Sequence, residues 1–399
     1  MYENYSAAPI WHGGAGGAST ELGAMIVPEA TSQESYDSLE AQKDAALADL
    51  IQRGVLTQEV RDAFVAQQVY LLSQQIAGSS GESRVALVRE RQLWQLLRLL
   101  WHKHDVLEIA EESEECCVDS KLLKLRSLNA QLRHTLAVVQ WLEAAQRDEG
   151  GDAAALETAQ RRTQAQLRGL SLDADASARM QDHTRLHPHD LADETSLLRL
   201  IWQQLRRGSV RGAMRVARSS MPWRAALLRG SELATLEHST PVGESSGVSV
   251  KAWLTMRETT RRTAAALSLR ASRLSDDDES TFQQRRLLLA DAALYGVLGG
   301  DLSTVLRNLS EPVDSMEDEV KIEWRDAAWA LQRHLLLRQL ESYLGSTYQD
   351  KVRSNDDAIA QLRVLCPQEN SNTPVAVLDA VARCLVEQDE KGAVALLSR

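Results

Sequence analysis

Residues 197–230 read LLRLIWQQLRRGSVRGAMRVARSSMPWRAALLRG, and this stretch decides the fold class. Leu197, Leu198, Ile201, Trp202 and Leu205 recur at the spacing of one helix face. Gly208 stands where a C-terminal cap is expected, Ser209 can cap the helix that follows, and Pro222 breaks that second helix. The product is a helical hairpin. A hairpin of this kind buries its apolar stripe only by stacking on neighbours, which is the construction of an α-helical solenoid. In such an architecture function lies in surfaces rather than in a catalytic cleft.

Composition points the same way. The 399 residues include 44% hydrophobic ones, enough for a sizeable core, but only two Phe and seven Tyr. Leu, Ala, Gln, Arg and Glu dominate, which favours helices over the β-branched and aromatic runs of sheets. The fold class is therefore all-α, an elongated irregular solenoid. A formal net charge of −11 opposes bulk attraction to nucleic acid or acidic membranes and favours protein partners. Cys116, Cys117, Cys366 and Cys384 give no secreted disulfide framework, so a reducing compartment is expected. No stretch approaches the roughly eighteen apolar residues of a membrane span, and MYENYSAAPIW is not a secretory leader.

The expected domain division is a mobile tail over 1–36 and one solenoid domain over 37–399. The Gly-, Ala- and Ser-rich stretch from His12 to Gly23 has little apolar surface to offset ordering, and its GGAGG run lacks the strand and Lys-Ser or Lys-Thr of a phosphate loop. Caps and apolar spacing predict helices over 38–53, 57–78, 84–103, 118–147, 152–169, 190–207, 209–219 and 222–230. Further helices are predicted over 249–271, 278–299, 301–309, 317–344, 355–365, 373–388 and 391–397. Asp37 with Glu40, and Asp314 with Glu317, have capping-box spacing. The tryptophans fall at uneven intervals, so no period of about 34 residues or other fixed repeat emerges.

Candidate chemistry is sparse. His183, His187 and His189, flanked by Asp182 and Asp190, could ligate zinc, but no cysteine lies nearby and Pro188 suits a connector. His102, His104 and Asp105 read as polar groups near free helix carbonyls. Glu111, Glu112, Glu114 and Glu115 lack the alternating oxygen ligands and glycine of a calcium loop. Cys116 and Cys117 lack Cys-x-x-Cys spacing. Arg206, Arg207, Arg211, Arg215 and Arg218 carry no interleaved aromatics, which favours a solvated or acidic-partner-facing surface over a nucleic-acid site. Trp202 and Trp223 are expected in one apolar layer with Leu205 and Leu227. Trp324 and Trp329, five apart, are expected on different sides of their helix. Ile201, Leu205 and Met214 are the candidate partner-binding patch, the competing reading being intramolecular core.

The tryptophan helix from Trp202 to Gly208, followed by Pro222-Trp223-Arg224-Ala225-Ala226, resembles a known family. It is the outer-ring (Y-complex) scaffold nucleoporins, whose yeast and vertebrate members are nucleoporin eighty-four and nucleoporin one-hundred-and-seven. A second block agrees in order and spacing. Ala293-Leu294-Tyr295-Gly296 through Gly300-Asp301-Leu302 is similar to the family's Ala-Leu-Tyr-Gly turn, and Glu323-Trp324 to Trp329 to the helix that follows it. The resemblance spans 186–344 and makes Trp202, Gly208, Pro222, Trp223, Arg224, Tyr295 and Gly296 its structural motif residues.

The resemblance implies a coat-scaffold fold in which the chain climbs a trunk, folds back as a crown and returns. It implies a non-enzymatic, cofactor-free subunit of the nuclear pore complex at the nuclear envelope, supporting mRNA and protein transport. The implied partner is a related helical nucleoporin of the ninety-six or one-hundred-and-forty-five C-terminal type, with its small propeller partner. A propeller-bearing nucleoporin is implied to dock on a C-terminal tail; with the chain stopping at Arg399, either that tail lies outside the sequence or the second contact lies elsewhere. No direct nucleic-acid contact and no membrane insertion are expected. A vesicle-coat or tethering scaffold, or a helical metal-binding regulator or enzyme using His183, His187 and His189, are the alternatives.

Overall fold

In a computed structural model the described residues are 58–101, 117–149, 188–218, 222–233, 247–274, 279–310, 322–346, 354–367 and 373–397. The chain divides into two compact units, Met1–Gly54 and Val55–Arg399, and all described residues belong to the second. The expected tail, its boundary at 36/37, the helices over 38–53 and 152–169, and the clusters at 102–105, 111–116 and 182–187 lie outside the described residues.

Fourteen helices and no strand are found among the described residues, with an isolated antiparallel bridge between Cys117 and Ser249. They are α1 Gln58–Gly78, α2 Gly81–Trp101, α3 Val118–Leu128, α4 Ala130–Glu149, α5 Pro188–Arg206, α6 Val210–Arg218 and α7 Pro222–Ser231. There follow α8 Val250–Ala271, α9 Glu279–Gly299, α10 Leu302–Ser310, α11 Trp324–Tyr343, α12 Asn355–Leu365, α13 Pro374–Val386 and α14 Glu390–Leu397. The all-α solenoid class is borne out.

Local chemistry sets several helix ends. Ser249, Ser354 and Thr373 accept a backbone N–H at the starts of α8, α12 and α13, and Ser354 with Asp357 completes a capping box. Two predicted helices are corrected. The continuous helix expected over 118–147 breaks at Asn129, whose Oδ1 accepts from the N–H groups of Gln131 at 2.9 Å and Leu132 at 3.1 Å. An apolar period that runs through the break hides it, whereas the short polar side chain starts α4 afresh. Of the helix expected over 317–344, residues 317–321 and the Asp314/Glu317 capping box lie outside the described residues, and α11 starts at Trp324, because Glu323 is extended and its carbonyl accepts the first helical bond, from Ala327 N at 3.0 Å.

Helices α5, α6, α7, α8 and α9 pack in succession and α9 returns to α5, closing a central module. The chain then turns back. Helix α11 lies against α4 and α13 against α2, so the C-terminal helices pack on N-terminal ones. This is the return that the resemblance implied. Helix α11 is its axis, with thirteen of its twenty residues buried, as befits a helix packed on all sides. One large apolar core runs through α2, α4, the α5–α7 hairpin region, α9 and α11, and a second joins α3, α4, α8 and the end of α11.

Candidate functional site

The hairpin 197–230 meets the returning chain at a buried junction. Helix α5 ends in a paired-bond cap: Gly208 N donates to Leu205 O at 3.0 Å and Ser209 N to Gln204 O at 2.9 Å. Gly208 has φ +69°, a conformation that side chains other than glycine's rarely adopt. Ser209 Oγ then accepts from Gly212 N at 3.1 Å and starts α6, as expected. A Cβ on Gly208 would lie 2.8 Å from Glu143 Cδ, and nearer still to Oε2. The glycine is therefore required twice, by backbone conformation and by the carboxylate beneath it.

Glu143, on α4, is fully buried at this junction. Its Oε1 accepts from Trp329 Nε1 at 3.2 Å and Arg333 Nη1 at 2.9 Å. Burial holds its carboxyl above the usual range, against the opposing pull of Arg333, the Trp329 indole, Arg206 and Arg147. Arg206 lies over the Trp329 ring at 4.8 Å while its Nε donates to Asp326 at 2.8 Å and its Nη1 to Leu142 O at 3.2 Å. Trp202 is half-buried and meets Trp329 edge-on, with centroids 5.9 Å apart at 83°. Its aromatic neighbour thus comes from α11 on the returning chain; the Trp223 side chain lies outside the described residues.

The two motif blocks converge at a second junction. Arg224, buried on α7, donates to Asp291 on α9, and its Nη2 lies 3.5 Å from Glu194 Oε1 on α5. Burial raises the Glu194 carboxyl despite Arg224, whereas the carboxylates raise Arg224 in spite of its own burial. Tyr295 stands one turn from Asp291, and burial together with that carboxylate pushes its hydroxyl up to about 12. Gly296 lets α10 approach: an added Cβ would lie 3.2 Å from Thr304 Cβ. Arg224 and Tyr295, seventy-odd residues apart in sequence, thus both lie in the field of Asp291, the carboxylate that joins α7 to α9.

Two further junctions fasten α11. Glu341 accepts from Arg257, from Arg261 at 2.7 Å and from Arg338, and Arg257 also donates to Leu298 O at 3.1 Å. Burial brings Arg257 down to about 10 despite Glu341. Burial raises the Glu341 carboxyl, but Arg257, Arg261 and Arg338 outweigh it and the net direction is down. At the other end Arg325 donates to Gln92 Oε1 at 2.7 Å on α2 and to Asp379 at 2.6 Å on α13. The same Gln92 accepts through its carbonyl from Trp141 Nε1 at 2.7 Å. One guanidinium therefore ties α11 to both α2 and α13.

These carboxylates were missed in the sequence, although a signal was present. Glu143 follows Leu132, Leu136 and Val139 on an apolar stripe, and Glu341 follows Leu337 in the same way. A carboxylate on a core-facing stripe implies a buried partner. Of the expected partner patch, Ile201 is 0% and Leu205 1% exposed, because α6 and α9 pack on α5. The chain itself occupies the contacts those two side chains offer. Met214 remains partly exposed.

A gap lined by Gly296, Trp329 and His334 among others holds ≈ 20 Å³, room for about one water rather than a metabolite. Among the described residues no His, Cys, Asp and Glu cluster could hold a metal ion, and no helix is long and apolar enough to cross a membrane. The region matched by the nuclear pore protein 84 / 107 family, residues 85–395, runs from within α2 to within α14 and takes in all of these junctions. The chain belongs to that family. Its members are nuclear pore scaffold proteins, and the nucleoporin resemblance read from the hairpin is borne out. No individual curated protein matches the chain.

Proposed function

We propose that the chain is a structural subunit of the nuclear pore's outer ring that works without catalysis and pairs helix-to-helix with a related helical nucleoporin of the ninety-six or one-hundred-and-forty-five C-terminal type. That partner brings its small propeller with it, and the assembly supports transport of mRNA and protein at the nuclear envelope. The observation that carries the reading is the family match over residues 85–395, joined to a fold in which buried ion pairs bind the helices into one returning stack. A propeller-bearing nucleoporin is proposed as a further partner.

The test is twofold. A tagged chain is expected at the nuclear rim, and affinity purification is expected to recover the helical nucleoporin with its propeller. Concentration at endoplasmic-reticulum exit sites with coat proteins would replace this reading by a vesicle-coat scaffold.

A further inference from the structure

Residues 197–230 hold eight arginines and no aspartate or glutamate, in a chain of formal net charge −11. The fold sorts these arginines. Arg206 and Arg224 turn inward onto carboxylates of other helices, and Arg211 is held by Glu232 at 2.8 Å. Helix α6 then presents Arg211, Met214, Arg215 and Arg218 at positions i, i+3, i+4 and i+7, one face of the helix. Its other side, with Val210, Ala213, Val216 and Ala217, is buried. Arg215 and Arg218 are exposed, and Met214 sits between them, partly exposed and packed on the core beneath.

Two physical features identify what suits this face. Like charges one turn apart repel one another by a few tenths of a kcal/mol, a cost that partner carboxylates would turn into attraction. A methionine within a polar ring is an adaptable apolar seat of the kind found near interface centres. Trp202, the nearest tryptophan preceding α6, lies against Trp329 and so offers this face no stacking platform for single-stranded nucleic acid.

We propose that the outward face of α6 docks an acidic amphipathic segment of another protein, with an apolar side chain seated on Met214 and carboxylates facing Arg215 and Arg218. This contact is electrostatic and separate from the helix-to-helix pairing proposed above.

The test uses the full chain and a fluorescein-labelled synthetic peptide of Glu-Glu-Leu-Glu repeats, read by fluorescence anisotropy. Saturable binding that weakens with added salt is expected. Arg215→Glu with Arg218→Glu should weaken it at least about tenfold, and Met214→Gln should weaken it with the salt dependence unchanged. Arg215→Gln with Arg218→Gln is the milder pair, and all variants are matched to the parent by circular dichroism. Arg270→Glu with Arg273→Glu, exposed at the end of α8, should leave binding intact.

Equal loss in the α8 variant, equal affinity for a polyglutamate without leucine, tighter binding of single-stranded RNA or of phosphatidylserine vesicles, or no saturable binding would each overturn the proposal. Recovery of the helical nucleoporin by the same α6 variants reads the pairing separately, so the two proposals fail independently.

Discussion

Gly208→Ala and Gly345→Ala form a matched pair that isolates the buried carboxylate of Glu143. Both glycines close a helix in the left-handed conformation, at φ +69° and +87°. Both helices end in the same paired bonds, Ser209 N to Gln204 O and Ser346 N to Glu341 O, each at 2.9 Å. They differ in what an added methyl meets: nothing within 4 Å at Gly345, but Glu143 Cδ at 2.8 Å at Gly208. Gly345→Ala should therefore carry only the left-handed penalty, about 1–2 kcal/mol. Gly208→Ala carries that penalty and also drives Glu143 off Trp329 and Arg333. A hydrogen bond to a charged group contributes about 1.5–3 kcal/mol, so after partial re-pairing the total should reach about 3–6 kcal/mol. Urea unfolding followed by far-ultraviolet circular dichroism gives both values. In a Glu143→Ala background the Gly208→Ala increment should fall towards that of Gly345→Ala, since the carboxylate is gone and only the Cβ at position 143, 3.2 Å from the added methyl, still touches it. Equal costs at the two glycines in the parent chain would refute the assignment of Gly208 to the Glu143 junction.

Three other measurements bear on the junctions. Arg224→Ala leaves Asp291 and Glu194 facing each other without their cation and should cost about 3–5 kcal/mol, which thermal or urea unfolding would report. Glu143→Gln and Glu341→Gln should change the pH dependence of stability in opposite senses. The folded state raises the Glu143 carboxyl, so its contribution is complete in acid and lost as pH rises through the raised value; the parent's margin over Glu143→Gln should shrink with rising pH. The folded state lowers the Glu341 carboxyl, so its contribution is present above the ordinary carboxylate range and lost as pH falls; the margin over Glu341→Gln should grow with rising pH. Slopes of the same sign would contradict the two environments. Trp329→Ala, at a fully buried indole, should cost about 3–5 kcal/mol, and Trp202→Ala, at a half-buried one, should cost less.

The hairpin was legible because its signals are local. Gly208, Ser209 and Pro222 are backbone determinants, and their effect does not depend on what the chain packs against. The end of α4's predecessor was not legible for the opposite reason: Leu122, Leu125 and Leu132 keep an apolar period through Asn129, and only the amide's bonds to Gln131 and Leu132 betray the break. Tertiary assignments were harder still. Periodicity shows that Ile201 and Leu205 face something, but not whether a partner or this chain supplies it. Helix α9, some ninety residues downstream, decides that. The packing of Trp329 on Trp202 was not legible either, because Trp329 arrives from the returning chain more than a hundred residues downstream.

The junctions explain why separate sequence words act as one unit in this fold. An apolar ridge on α11 could slide by a turn along α4 with little loss of burial, since neighbouring leucines and alanines offer similar surfaces. Glu143 allows no such slip. Moving α11 by one turn withdraws Trp329 and Arg333 from it and leaves a fully buried carboxylate without the donors that offset its desolvation, a penalty of several kcal/mol. Arg325 imposes the same condition at the other end of the return, because Gln92 and Asp379 come from α2 and α13 and must be met together. Arg224 does so within the central module, between α5 and α9. Compared with well-packed apolar residues, buried ion pairs add little net stability, but breaking one costs a great deal. That asymmetry suits a scaffold. It lets the apolar core supply cohesion while the charged contacts specify which turn of each helix meets which, and so fixes the spacing at which surfaces such as the outward face of α6 are presented.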